Sequence, residues 1–251
     1  VGINAPRLFS VLYHRTLNVG RVQTPTLSLL AARDAKIALF QKEKYHHVRL
    51  TLAGAEAVSE RFTDPAEAEQ AAAMRKGATV TCTSVTCEQK KEQPPKLYDL
   101  TTLQREANRL LGYTAKQTLD YAQSLYEKKL LTYPRTDSRY LTSDMAETAS
   151  CVIHLAAKLP PFDGCTNFFP LVEAMASDKD VSDHHAIIPT LEIEKADIPA
   201  LPLGERELLL LICCRLLCAS AEPYVYEAVT ATFGCGGHSF TAKGRRVLSE
   251  G

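Results

Sequence analysis

The hydrophobic period of this chain changes twice along its length, and that change limits what it can fold into. From Tyr45 the pattern is that of strands: HVRLTL (47–52) alternates, and AVSERF (57–62) and ATVTCTSVTCE (78–88) follow. Residues 99–221 then turn to the spacing of amphipathic helices. Strand character returns at YVYEAVTATF (224–233) and HSFTA (238–242), with a glycine turn between them. The transitions fall at KKEQPPK (90–96), a charged and proline-rich junction, and at Pro223. Strands, then helices, then strands again predict an α+β protein in which a helical domain is inserted into a β-rich one.

Within that frame, helices are expected over 6–17 and 25–39, the second with Thr24 as N-cap and Pro25 at its first position. Asp64 caps a short Ala- and Glu-rich helix over 65–75. The insert should hold helices over 102–111, 115–129, 142–158 and 203–220. Thr114 caps the second of these, and Lys128 and Lys129 lie in its last turn, where the helix dipole favours cations. The expected divisions are a helical segment over 1–44, a β-rich domain over 45–92 and 222–251, and the helical insert over 93–221.

Lys plus Arg and Asp plus Glu both number 29 in the 251 residues, so the formal net charge is zero. That balance argues against a broad basic face gripping duplex DNA, but it leaves room for a narrow groove holding a single strand. The eight cysteines include no C-x-x-C pair, and Cys213, Cys214 and Cys218 sit in an apolar helical run. They read as free buried thiols in a reducing cytosol rather than a zinc site or disulfides. The longest apolar run, Leu208–Cys214, is far too short to span a membrane. The chain opens without Met and closes after RRVLSEG, which reads as a piece of a longer protein.

The chemistry concentrates in LTYPRTDSRYLTSD, residues 131–144. A tyrosine phenol has an ordinary pKa of about 10 and is a poor nucleophile unless the phenolate is stabilised. Tyr133 stands two residues before Arg135, a fixed cation that can also hold a phosphate oxygen, and Asp137 and Ser138 follow. The chemistry that fits is attack of a tyrosine on a phosphodiester. Pro134 pushes Tyr133 out of the helical region, so the residue should sit in a loop past a helix end. A loop tyrosine packed for structural reasons fits the same residues. Further on, DHHAIIPT (183–190) supplies Asp183, His184 and His185; neighbouring histidines in an extended segment face opposite ways and make a poor metal pair. Gln123 and Glu127, spaced i, i+4, share a helix face before the tyrosine. Lys128, Lys129 and Arg139 flank it and either hold phosphates or form a solvated cationic helix end.

TYPRTDSRYL resembles the active-site motif of type IA DNA topoisomerases, and the proline after the tyrosine resembles their topoisomerase III branch. Three more segments resemble the family in the family's order: VGRVQTPTLSLL (19–30), YDLTTLQREANRLLGYTAKQTLDYAQSLYEKKLLTYPRTDS (98–138) and DHHAIIPT. The resemblance implies a β-rich arch interrupted by a helical, winged-helix-like domain that carries the tyrosine. It implies Tyr133 as nucleophile, with Arg135 and His184 holding the phosphate. Gln123 matches a position close to the active site, Arg21 and Gln23 match a DNA-facing segment, Asp137 and Ser138 belong to the nucleophile motif, and Arg7 is a weaker DNA candidate. It further implies a bacterial enzyme of the cytoplasm and nucleoid that acts as a monomer on single-stranded DNA. In this family Mg2+ is held by a separate acidic Toprim domain, which nothing in this chain resembles; no metal is expected on these residues, and the chain alone should be inactive. Two other readings differ in class. A non-catalytic clamp for single-stranded DNA is one. The other is a different tyrosine-dependent strand transferase, whose His-x-His pair or separated Arg and His-x-x-Arg set is not found here.

Overall fold

A computed structural model describes residues 3–74, 77–163 and 170–251, which divide into two compact units. The first unit comprises 1–81 with 234–240. It holds helices α1 (Asn4–Leu12) and α2 (Gln23–Ala38), the antiparallel hairpin β1 (Arg49–Leu52) and β2 (Ala55–Ser59), and α3 (Pro65–Ala73). Gly54, at φ +86°, supplies the left-handed turn that joins the two strands. Asp64 caps α3 through the Ala66 amide at 2.8 Å, as the sequence predicts, although position 75 lies outside the described residues. Thr24 does not cap α2. The helix begins at Gln23, and the Thr24 hydroxyl instead accepts from the Gly20 amide at 3.0 Å, tying the preceding turn to the helix. The first helix is also shorter than expected, ending at Leu12. Neither α1 nor α2 buries a residue.

The second unit comprises 82–233 with 241–251. Strands β3 (Thr81–Glu92), β4 (Tyr224–Cys235) and β5 (His238–Ser249) contribute to an antiparallel sheet of order β1-β2-β5-β4-β3. β3 runs four residues past the expected end, into KKE of the junction. All twelve of its residues are exposed, so its extent is set by pairing rather than burial; Thr83 and Thr86 donate to the Thr232 and Thr230 carbonyls at 3.1 and 3.3 Å.

The helical core is built by α4 (Leu100–Leu111), α5 (Ala115–Glu127), α6 (Ala146–Ala157) and α7 (Leu203–Ala219). Their apolar faces meet in one cluster that includes Leu103, Leu125, Val152, Ile153, Leu208 and Ile212. Capping boxes start α4 and α5, Asp99 with Thr102 and Thr114 with Gln117. α4 therefore opens two residues earlier than its apolar spacing suggests. The expected helix over 142–158 is a 3-10 turn at Ser143–Met145 followed by α6. At Gly204, in the first turn of α7, a Cβ would lie 2.6 Å from the Tyr121 ring, so this helix comes closer to α5 than any side chain there would permit. No helix among the described residues is long and apolar enough to cross a membrane.

The thiols are a correction. Among the described residues only Cys213 and Cys235 are buried; Cys82, Cys87, Cys151, Cys214 and Cys218 are exposed, and Cys165 lies outside the described residues. On α7, Cys214 and Cys218 are seven and eleven residues past the charged Glu207, on the helix's solvent side.

Candidate active site

The site is assembled by an extended segment that helices leave behind. α5 ends at Glu127, and residues 130–132 then run antiparallel to 186–190: Thr132 donates its amide to the Ile188 carbonyl at 3.0 Å, and Thr190 donates to the Leu130 carbonyl at 3.1 Å. On the other side of 186–190, Ile187 donates to the Tyr98 carbonyl at 2.8 Å; Ala186 donates to the Tyr140 carbonyl at 2.9 Å. Leu131, Ala186, Ile187 and Ile188 point this small ladder into the helical core. The tyrosine and histidine motifs, about 50 residues apart in sequence, thereby end side by side.

Tyr133 follows directly, half-buried and outside any helix, as Pro134 predicts. Its ring lies against His184, with centroids 4.4 Å apart and planes tilted by 44°. Tyr126, on the last turn of α5, meets the Tyr133 ring edge-on at 5.5 Å and 77°. His184 is exposed; His185 is half-buried and its Nδ1 donates to the Ala186 carbonyl at 2.8 Å. The two histidines thus separate as their neighbouring positions require.

Beyond Tyr133 the loop alternates. Pro134, Thr136 and Ser138 are buried, whereas Arg135 and Asp137 are exposed. The Thr136 hydroxyl donates to the His184 carbonyl at 2.9 Å and accepts from the Ser138 amide at 3.1 Å. The Thr136 carbonyl accepts from the Leu100 amide at the start of α4, 3.1 Å away. Arg135, Asp137, Asp183 and His184 line a cavity of about 460 Å³, closed on one side by Asp99, Leu100 and Thr101. Arg135 is its one permanent cation, beside the His184 imidazole and the amino-terminal end of α4, and the carboxylates of Asp99, Asp137 and Asp183 share the lining.

Ser138, expected beside the DNA, lies under the loop. It is 4% exposed, and its hydroxyl donates to the Asp180 carbonyl at 3.0 Å, so it anchors the loop. Gln123 donates to Glu127 at 3.0 Å on the face that the i, i+4 spacing gives. Arg7, Arg21 and Gln23 belong to the first unit, where each is exposed. Thr136 is the position that motif reading passed over; the only sequence signal for it was a short hydroxylated residue between two charges.

The sequence holds an Asp-Lys-Asp run at 178–180, but it forms a single 3-10 turn. Asp178 accepts from the Ser143 amide and hydroxyl, each at 2.7 Å, and Asp180 from the Ser177 hydroxyl at 2.6 Å. No group of three or more His, Cys, Asp or Glu among the described residues is placed to hold an ion.

Comparison with known proteins gives a consistent result. The family profile described as DNA topoisomerase matches residues 1–251. Curated relatives named DNA topoisomerase 3 from Shouchella clausii and Bacillus subtilis are 38% and 36% identical over 269 and 273 residues, each alignment covering all of this chain and 36% of the relative. The protein of that name from Staphylococcus aureus strain MRSA252 is 37% identical over 254 residues, covering 97% of this chain and 35% of its own. Among solved structures, full-length topoisomerase I from Thermotoga maritima matches with a TM-score of 0.69 at 26% identity, over 92% of this chain and 39% of that one. The chain thus spans little more than a third of the length of these relatives.

Proposed function

This chain belongs to the type IA DNA topoisomerase family, and we propose that it is the part that carries the cleaving tyrosine and the gate of a topoisomerase III-like enzyme. Tyr133 Oη attacks the phosphorus of a phosphodiester in single-stranded DNA. The Oη–P bond forms, the P–O3′ bond breaks, and the proton lost by the phenol is balanced by one gained at the departing 3′-oxygen. The products are a 5′-phosphotyrosine and a free 3′-hydroxyl. Resealing is the reverse attack, so the bond energy is conserved and no ATP is needed. Between the two steps a second strand passes and the linking number changes.

The single observation that carries this reading is the ring contact of Tyr133 with His184, centroids 4.4 Å apart, His184 itself lining the cavity that Arg135 lines. Arg135 and His184 then stabilise the charge that builds on the non-bridging oxygens. Asp137, exposed on the same wall, and Gln123 on α5 border the strand, and Arg7, Arg21 and Gln23 supply contacts from the first unit. We read residues 1–44 as part of a larger helical domain, 45–92 with 222–251 as the β-rich arch, and 93–221 as the insert that swings with the tyrosine.

Mg2+ in such an enzyme neutralises charge on the reacting phosphate. The described residues do not fit it, so its ligands are assigned to the rest of the protein, and the chain alone should leave supercoiled plasmid unrelaxed. The test uses the full-length protein. Tyr133→Phe should abolish the covalent adduct on a denaturing gel while single-stranded DNA binding persists. Arg135→Ala should slow cleavage by roughly 10²–10³, the effect of losing one transition-state donor, and His184→Ala by less. Adduct formed by Tyr133→Phe would place the nucleophile elsewhere.

A further inference from the structure

Four cations flank the nucleophile loop, and the structure separates them. Lys128 is ion-paired with Glu205, a buried carboxylate that also accepts from the Ser124 hydroxyl at 2.9 Å. Arg139 is half-buried, with Nε donating to the Leu97 carbonyl at 3.3 Å. Arg135 lines the cavity. Lys129 is exposed and, among the described residues, has no carboxylate within ion-pair distance.

Lys129 also stands in a conformation that lysine avoids. Its φ is +61°, a left-handed value shared among described non-glycine residues only with His14. The reason is the way α5 ends. Leu130 donates to the Leu125 carbonyl at 2.9 Å and Lys129 to the Tyr126 carbonyl at 2.8 Å, closing the turn whose left-handed position usually falls to glycine. α4 also ends on a left-handed residue, with a different bond pattern, and there it is glycine: Gly112 at φ +74°, donating to the Asn108 carbonyl at 3.1 Å, with Tyr113 donating to the Ala107 carbonyl at 3.4 Å. Where only the turn matters, the sequence places Gly. At the left-handed position before the nucleophile it places Lys, whose Cβ crowds the following carbonyl. Strain of this kind persists where the side chain has another use. From Lys129 the chain runs extended to Tyr133, four residues or about 13 Å away.

We propose that Lys129 is a DNA-backbone contact, holding a phosphate that flanks the one attacked by Tyr133. This rests on the reading of the Tyr133 loop as a strand-cleavage site. The competing explanation is helix capping, in which the cation serves only the dipole of α5. The two differ in sign: glycine relieves the strain but removes the dipole partner.

The test measures binding of a fluorescein-labelled oligothymidine to this chain across a salt series, with thermal unfolding alongside. Lys129→Gly should weaken binding about tenfold at 50 mM salt and reduce the slope of log K against log salt by about one, the value of one phosphate contact. Its Tm should stay level or rise by up to about 3 °C. Lys129→Arg should retain affinity and slope. An unchanged slope for Lys129→Gly, with Arg135→Ala reducing it, overturns this inference alone. A Tm lowered by several degrees for Lys129→Gly assigns the residue to capping and overturns it too. If the wild-type full-length protein also fails to bind the oligonucleotide, the cleavage-site reading falls and this one with it.

Discussion

Thr136→Val is the sharpest test of how the candidate site is held together, because it changes shape little and removes one hydroxyl. That hydroxyl sits in a side chain only 7% exposed and makes two hydrogen bonds, to the His184 carbonyl at 2.9 Å and from the Ser138 amide at 3.1 Å. Valine leaves the Ser138 amide beneath the loop without its acceptor, and an unsatisfied buried donor costs roughly 1–3 kcal/mol. The His184 carbonyl belongs to an exposed residue and can turn to water, so only the net worth of its bond is lost, about 0.5–1.5 kcal/mol. Together the substitution should destabilise the helical unit by about 2–4 kcal/mol, the larger share from Ser138. Thr136→Ser keeps both bonds and loses one methyl group, about 1 kcal/mol. Urea unfolding followed by the helical circular dichroism signal measures both variants.

The functional consequence is separate from the stability loss. With the Thr136 bridge gone, His184 is no longer fixed against Tyr133. The full-length Val variant should therefore form adduct more slowly at temperatures where it is still folded, and the Ser variant should regain most of the rate. If Val proves as stable as wild type within about 0.5 kcal/mol, or if Ser is as damaged as Val, the hydroxyl does not connect the two motifs and the argument for a built site fails.

Two further outcomes follow from ionisable groups. Burial works against ionisation of Glu106, but the Tyr98 hydroxyl at 2.7 Å and the Arg215 and Arg109 guanidinia outweigh it and hold its carboxyl below the usual range. A depressed folded value adds stability above the ordinary carboxylate pKa of about 4.3 and loses it as pH falls through the folded value. Acidification below about pH 4.5 should therefore weaken the helical unit in urea, and Glu106→Gln should lower stability at pH 7 and flatten that dependence; a parallel acid profile in the variant would refute it. On α7, a hydrogen bond with Cys218, together with Arg215 and against the effect of burial, brings the Cys214 thiol down to about 6, whereas burial pushes Cys213 up to about 12. Limiting iodoacetamide at pH 7 should label Cys214 first and spare Cys213 in the folded chain, as read by peptide mass spectrometry; equal labelling of Cys82 or Cys87 would contradict this.

The parts of the fold that were legible in the sequence are those set by neighbours along the chain. Thr114 and Asp64 announce their helices because a cap and the turn it caps are a few residues apart. Asp99 was legible in principle, but its capping partner at the third helical position is Thr102 rather than Glu, so the start of α4 read two residues late. Thr24 misled because a hydroxyl before an apolar run looks the same whether it caps its own helix or accepts from the turn before it. The thiols of α7 were misjudged from hydrophobicity, although their spacing from Glu207 placed Cys214 and Cys218 on a charged face. The pairing of 130–132 with 186–190 was not legible at all. Each piece is too short for strand periodicity, and its bonds join residues more than 50 positions apart.

The same contrast explains the nucleophile loop. Motif reading takes Pro-Arg-Thr-Asp-Ser as a set of functional groups, yet the structure buries Pro134, Thr136 and Ser138 and displays Arg135 and Asp137. An extended backbone turns successive side chains to opposite sides, so five residues can grip the domain with three and present two. The gripping side is specific: Thr136 to His184 and to α4, Ser138 to Asp180. A slip of one residue would bury the guanidinium and the carboxylate and expose the anchors. The charged residues therefore depend on the short uncharged ones between them for their direction. That dependence accounts for a run in which small and charged residues strictly alternate beside a tyrosine that must meet one phosphorus atom in one orientation.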